Sequence, residues 1–182
     1  MKLIDRFLSV YDVTEIHSIV VNEGLEKSYE TVRSFRFANT GLTNVLFALR
    51  GLPTNKVSLQ SVLDIGFIML DEREHEELVF GLVGKFWTPS GCLQRMTQME
   101  FERFNDSGFA KAVWNFSFEK ISESRTKIST ETRVLSLDDS SRRKFKTYWF
   151  FVAPFSSIIR REILKSIKRA VTGNRNATIE EK

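Results

Sequence analysis

Apolar and polar positions change period several times along this chain. Leu3, Ile4, Phe7 and Leu8 have helical spacing, so a short helix opens it. From Asp12 the period drops to two. Val13, Glu15, His17, Ile19 and Val21 alternate with Thr14, Ile16, Ser18 and Val20, and the β-branched content favours a strand. Asn22-Glu23-Gly24 ends it. Leu25, Tyr29, Val32 and Phe35 return to the helical period and predict a helix near 24–36. Leu42, Val45, Leu46 and Leu49 predict a second amphipathic helix, stopped by Gly51-Leu52-Pro53. Ser58 can cap a short third helix carrying Leu59, Val62 and Leu63.

Gly66 marks the change to strands. Phe67–Leu70 and Leu78–Trp87 are strand-like, joined by a charged turn at Asp71–Glu77, and a further strand is predicted near 95–104. Leu78–Trp87 is apolar on both faces, so it is either a central strand or one that meets a partner chain. Phe109–Lys120 and Arg125–Leu137 form the best-defined hairpin. A turn at Ser122-Glu123-Ser124 sets Trp114 opposite Thr132, Phe116 opposite Thr130 and Phe118 opposite Ile128. The same register pairs Glu119 with Lys127, so it satisfies both faces. Asp138 or Asp139 then caps a long last helix to Val171, with Phe145, Tyr148, Trp149, Val152, Ile159, Ile163 and Ile167 on its apolar stripe. Pro154 should kink or break it and Gly173 should end it.

Length and composition add limits. The 182 residues fit one domain, 1–182, with a core at about 12–171 and a polar tail at 174–182. Sixteen Phe against nine Gly and three Pro favour a Phe-rich antiparallel sheet. Cys92 is the only cysteine, which excludes an internal disulfide and fits a reducing, cytoplasmic setting. Asp5 and Arg6 interrupt the first apolar stretch, so it does not read as a signal peptide, and no stretch reads as an integral membrane segment. The net charge of +4 is concentrated late, in Arg142, Arg143, Lys144 and Lys146 and then in Arg160, Arg161, Lys165, Lys168 and Arg169. A solvated helix face accounts for that density, and peripheral contact with a membrane surface is a second use for it.

Specific chemistries mostly fall away. His17, His75 and Cys92 do not have zinc-ligand spacing, and no metal or other cofactor is expected. Neither histidine stands beside a marked serine; His17 reads as a packed or edge residue and His75 as part of a solvated turn. Gly81-x-x-Gly84 lies inside a strand and lacks the Lys-Ser/Thr of a phosphate loop, so close packing over the two glycines is the better reading. The aromatics of the basic helix belong to its buried stripe, which argues against nucleic acid as a partner.

The element order, with the strings Gly81-Leu82-Val83-Gly84-Lys85-Phe86-Trp87, Lys111-Ala112-Val113-Trp114-Asn115-Phe116, Thr130-Glu131-Thr132-Arg133-Val134 and Pro154-Phe155-Ser156-Ser157-Ile158-Ile159-Arg160-Arg161, resembles the START-related SRPBCC superfamily and its uncharacterised bacterial, polyketide cyclase-like branch. The resemblance spans roughly Asp12 to Val171. It implies an α+β helix-grip fold: a curved antiparallel sheet of six or seven strands wrapped around the long C-terminal helix, with two or three short helices between the first and second strands. It also implies an apolar cavity between sheet and helix, and it supplies no catalytic residue.

On that basis the expected function is binding or carriage of a hydrophobic small molecule, such as a lipid or polyketide. Trp114, Phe116, Thr130 and Thr132 would form the sheet wall, with Ile159 and Ile163 opposite. The alternatives are a cyclase or dehydratase in the same cavity, or a membrane-surface or partner-binding module using Arg160, Arg161, Lys165, Lys168 and Arg169. The chain would act as a monomer or a homodimer. Glu131 and Arg133 flank Thr132 and by alternation face away from the helix, where they would form a solvent-exposed ion pair; a bulge would be needed to turn them inward.

Overall fold

The computed structural model describes residues 1–34 and 66–177, with backbone only from 174. It is an α+β arrangement of one open antiparallel sheet and a long C-terminal helix. Its elements are α1 (Leu3–Phe7), β1 (Val13–Val21), α2 (Leu25–Arg33), β2 (Ile68–Arg73), β3 (Glu77–Gly84), α3 (Gln98–Arg103), β4 (Ala110–Ser122), β5 (Arg125–Ser136) and α4 (Asp139–Ala177). The strand order is β1-β5-β4-β3-β2. The predicted helices at 42–49 and 58–63, and the end of the one near 24–36, lie outside the described residues.

The hairpin has the expected register: Trp114 pairs Thr132, Phe116 pairs Thr130, Phe118 pairs Ile128 and Glu119 pairs Lys127. Lys127 Nζ meets the Glu119 carboxylate at 3.0 Å. β3 lies between β4 and β2 and is buried along its length. It is thus an interior strand, and its own chain covers both of its faces. It stops at Gly84 rather than at Trp87, because the backbone folds back there. Lys85 N donates to Gly91 O at 2.6 Å, and a Cβ on Gly84 would stand 2.7 Å from that same oxygen. A Cβ on Gly81 would stand 2.9 Å from Leu70, so both glycines permit close packing.

The described residues form five strands, not six or seven. The predicted strand near 95–104 is the helix α3. Thr97 and Glu100 form a reciprocal capping box: Thr97 N donates to the Glu100 carboxylate at 2.6 Å, and Glu100 N donates to Thr97 Oγ1 at 3.3 Å. Phe101 anchors the helix in the core. α4 passes through both Pro154 and Gly173 without ending. The hydrogen bond that Pro154 cannot donate belongs to the carbonyl of Phe150, an exposed residue whose backbone water can serve. Gly173 costs a helix only about 1 kcal/mol, and the turns before it are anchored by the buried Leu164, Ile167 and Val171.

Both faces of the sheet are covered. α2 and α4 pack on one, here called the inner face; α1 and α3 pack on the other, the outer face. Outward Val79, Val83 and Val113 join Leu3, Ile4, Leu8 and Phe101 in one cluster. The inner face carries two clusters. Leu82, Ala110, Ala112 and Val134 hold Phe145 at the start of α4, with Tyr148 and Trp149 against them. Phe80, Trp114, Phe116 and Ile128 hold Leu164, Ile167 and Val171 at its later turns.

Asp138 is the N-cap of α4. It accepts from Ser141 N at 2.9 Å and from Gly108 N at 2.6 Å, and with the Ser141 hydroxyl these bonds hold its carboxyl well below the usual carboxylate range. Arg142, one turn in, reaches Asp12 at 2.8 Å and fastens the helix to the start of β1.

Candidate binding site between sheet and helix

Between the two inner clusters lies a polar belt, and three elements contribute to it in step. Along β1 the inward residues run Val13, then Glu15 and His17, then Ile19 and Val21. Along β5 they run Val134, then Thr132 and Thr130, then Ile128. The register aligns them, with Glu15 opposite Thr132 and His17 opposite Thr130. On α4 the inward order is Phe145 and Trp149, then Ser156, Ser157 and Arg160, then Leu164 and Ile167.

Arg160 ties the belt together. Its Nη1 donates to Glu15 Oε2 at 3.0 Å and to the Ser156 carbonyl at 3.2 Å, and its Nε donates to Thr132 Oγ1 at 3.2 Å. It also meets the Ser156 hydroxyl. His17 Nε2 lies 2.7 Å from Glu15 Oε1 and 3.3 Å from the Ser157 hydroxyl. The side chains of Glu15, His17 and Arg160 retain only 14–15% exposure. Polar groups so enclosed need partners, and the cluster supplies them from three elements.

A serine, a histidine and a carboxylate in contact invite a nucleophilic reading, and the geometry argues against it. A relay needs the serine on one ring nitrogen and the carboxylate on the other. Here both meet Nε2. The arrangement is suited to holding a charged or hydrogen-bonding group.

The expected lining residues divide. Trp114 and Phe116 form an aromatic wall beside the belt, with ring centroids 4.9 Å apart, and Phe80 extends it at 5.7 Å from Trp114. Thr132 is in the belt, opposite Trp114. Thr130 supports the wall instead: it accepts from Trp114 Nε1 at 2.6 Å and donates to Asn115 O at 2.8 Å. Its hydroxyl fixes the indole. Ile163 packs on the later cluster and Ile159 is half-buried one turn before it. Glu15, His17, Ser156 and Ser157 were not expected here. His17 does stand beside a serine, from a part of the chain 140 residues away.

Glu131 and Arg133 face away from α4 without any bulge, yet they are buried, at 3% and 6% exposure, because α1 lies over them. The exposed pair expected there is an enclosed network. Arg133 Nε donates to Glu131 Oε1 at 2.6 Å, and its Nη1 reaches Asp5 at 2.8 Å and Leu8 O at 2.9 Å. Lys2 Nζ reaches Glu131 at 2.8 Å. Glu77 accepts from Leu3 N and Ile4 N, the first turn of α1, at 2.6 and 3.1 Å, and from Asn115 Nδ2 at 2.6 Å. Burial alone would raise the Glu131 carboxyl, but the hydrogen bonds and charges of Lys2 and Arg133 override it and hold it below its ordinary value. The hydrogen bond from Arg133 does the same for Asp5.

No group of His, Cys, Asp and Glu among the described residues could hold a metal ion, and no described helix is long and apolar enough to cross a membrane. No family model matches the chain, and no curated protein matches it in sequence. Solved structures similar to it include a protein from Nitrosospira multiformis (9% identity, 90% of this chain, 99% of that one, TM-score 0.44). They also include a Streptomyces aromatase/cyclase (11% identity, 87% and 95%, TM-score 0.33). A third is a point mutant of norcoclaurine synthase from Thalictrum flavum, bound to a transition-state analogue (12% identity, 91% and 99%, TM-score 0.43).

Proposed function

We propose that the protein binds a hydrophobic small molecule, of the lipid or polyketide kind, between the inner face of the sheet and α4. The observation that carries this reading is the polar belt set against an aromatic wall. A solid core would gain nothing from interrupting its apolar stripe on three elements at one level. A ligand site needs that combination, since apolar walls supply affinity and a few placed polar groups fix orientation. Trp114, Phe116 and Phe80 would take the apolar body of the ligand. Arg160 would meet an acidic or carbonyl end, with Thr132 beside it.

The position of His17 supports a second use of the same site. Glu15 orients the ring, and an enclosed imidazole is a suitable general acid or base for a cyclisation or dehydration. The two uses separate on substitution. In a carrier, His17→Gln leaves binding and activity-independent ligand exchange intact. In an enzyme, it abolishes turnover and spares binding.

Native mass spectrometry of protein purified from its own host tests the proposal. The expected result is a co-purified lipid-like or polyketide-like mass, displaced by added oleic acid. Protein carrying no added mass, and failing to bind oleic acid in vitro, would overturn it.

A further inference from the structure

The middle of α4 turns large apolar side chains outward. Phe150 is 77% exposed, Phe151 66%, Phe155 51% and Ile158 42%. With the exposed Pro154 they form one contiguous apolar patch on the helix. The same exposed face is basic at both ends. Arg143, Lys144 and Lys146 precede the patch; Arg161, Lys165, Lys168 and Arg169 follow it, all exposed. The nearest carboxylate to the patch on α4, Glu162, is already held by Lys165 at 2.7 Å. The apolar run is about 12 Å long and the basic ends extend it to roughly 40 Å along the helix.

We propose that this face of α4 docks the protein on an anionic lipid bilayer, with the phenylalanines in the interface and the basic ends on the head groups. Aromatic side chains are favoured at that depth, and lysine and arginine are drawn to a negative leaflet surface. The charge pattern selects this occupant. A two-fold dimer would lay this face on itself and bring basic ends against basic ends. The segment 35–65 offers no acidic complement either, since it carries Arg36, Arg50 and Lys56 against Asp64. The surface keeps four residues of the basic cluster expected from sequence, Arg161, Lys165, Lys168 and Arg169, and differs from it by losing Arg160 and gaining the aromatic run. Arg160 is turned inward to Glu15, and the aromatic run lies N-terminal to it. The inference stands apart from the ligand proposal, because none of its residues belongs to the belt.

Flotation with vesicles of phosphatidylcholine, and with vesicles in which a third is replaced by phosphatidylglycerol, tests it on the full chain. Binding should appear with the anionic vesicles and fall as salt is raised. Phe151→Ser with Phe155→Ser should weaken it about tenfold or more. Arg161→Glu or Lys168→Glu should each weaken it about fivefold or more and flatten its salt dependence. All four side chains are exposed, so circular dichroism and the unfolding midpoint should stay at the parent values. Equal binding to both vesicle types, no binding to either, or binding untouched by the Phe substitutions would overturn the proposal. A dimer dissolved by those substitutions, without vesicle binding, would assign the patch to a second copy and overturn it equally.

Discussion

The two faces of the sheet both enclose charged side chains, and they dispose of them differently. On the outer face Glu77, Glu131, Arg133 and Asn115 bond to one another and to α1, and Glu77 takes the N–H groups that a helix start leaves without partners. That network fastens α1 to β3 and β5, with Lys2 and Asp5 at its solvent edge. On the inner face Glu15, His17 and Arg160 keep some access to water, and they interrupt an apolar stripe that would pack more simply without them. Burial of an ion pair is therefore a poor guide to function in this molecule. The pair that drew attention in the sequence, Glu131 with Arg133, holds the structure together. The residues that interrupt the stripe are the candidate site.

This contrast can be broken by substitution. Arg133→Met should be the most damaging change, lowering stability by about 3 kcal/mol, because Glu131 is left buried with only Lys2 to balance it. Urea unfolding measures it. Glu77→Ala should cost about 2–3 kcal/mol by stranding the first N–H groups of α1 and the Asn115 amide, and α1 should lose hydrogen-exchange protection first. On the inner face, Arg160→Met should cost only about 1–2 kcal/mol, since His17 still partners Glu15, yet ligand affinity should fall about tenfold. Equal stability losses on both faces would erase the distinction. Glu119→Ala, at an exposed cross-strand pair, should change stability by about 0.5 kcal/mol or less.

Acid sharpens the same contrast. The carboxyls of Glu131, Asp5 and Asp12 all lie below their ordinary values in the folded chain; for Asp12 burial opposes the shift, and Ser136 N and Arg142 prevail. Groups with depressed values bind fewer protons folded than unfolded. Their stabilisation is complete only above about pH 5, beyond the unfolded values, and is lost as the pH falls through the folded values. The thermal midpoint should therefore fall steeply below about pH 4, and Glu131→Gln should make that decline shallower.

Much of the frame was legible in sequence because local and cross-strand signals agreed. The β4–β5 register followed from one turn and two faces that both made sense. The last helix followed from its stripe and a cap at Asp138 or Asp139, of which the structure uses Asp138. Other features depended on what covers a surface, which periodicity does not state. Leu3, Ile4 and Leu8 showed a stripe but not the face it would close, so Glu131 and Arg133 were placed in solvent. The strand predicted near 95–104 leaves out the decisive signal, the Thr97-x-x-Glu100 box that starts a helix there. Propensity makes Gly173 a stop, and the packing of Ile167 and Val171, which propensity does not contain, carries the helix past it. The belt had a sequence signature too: apolar, polar, apolar on three separate elements. It becomes visible only when the β1–β5 register and the inward face of α4 are known together.

The central claim is that a ligand enters at the polar belt of the inner face. NMR titration of the labelled protein with oleic acid tests it most directly. The Trp114 indole N–H and the Arg160 Nε–H resonances should shift together and saturate, while the Asn115 side-chain amide on the outer face stays in place. Shifts centred on Asn115 and α1, or no saturable shift at Trp114 and Arg160, would contradict it.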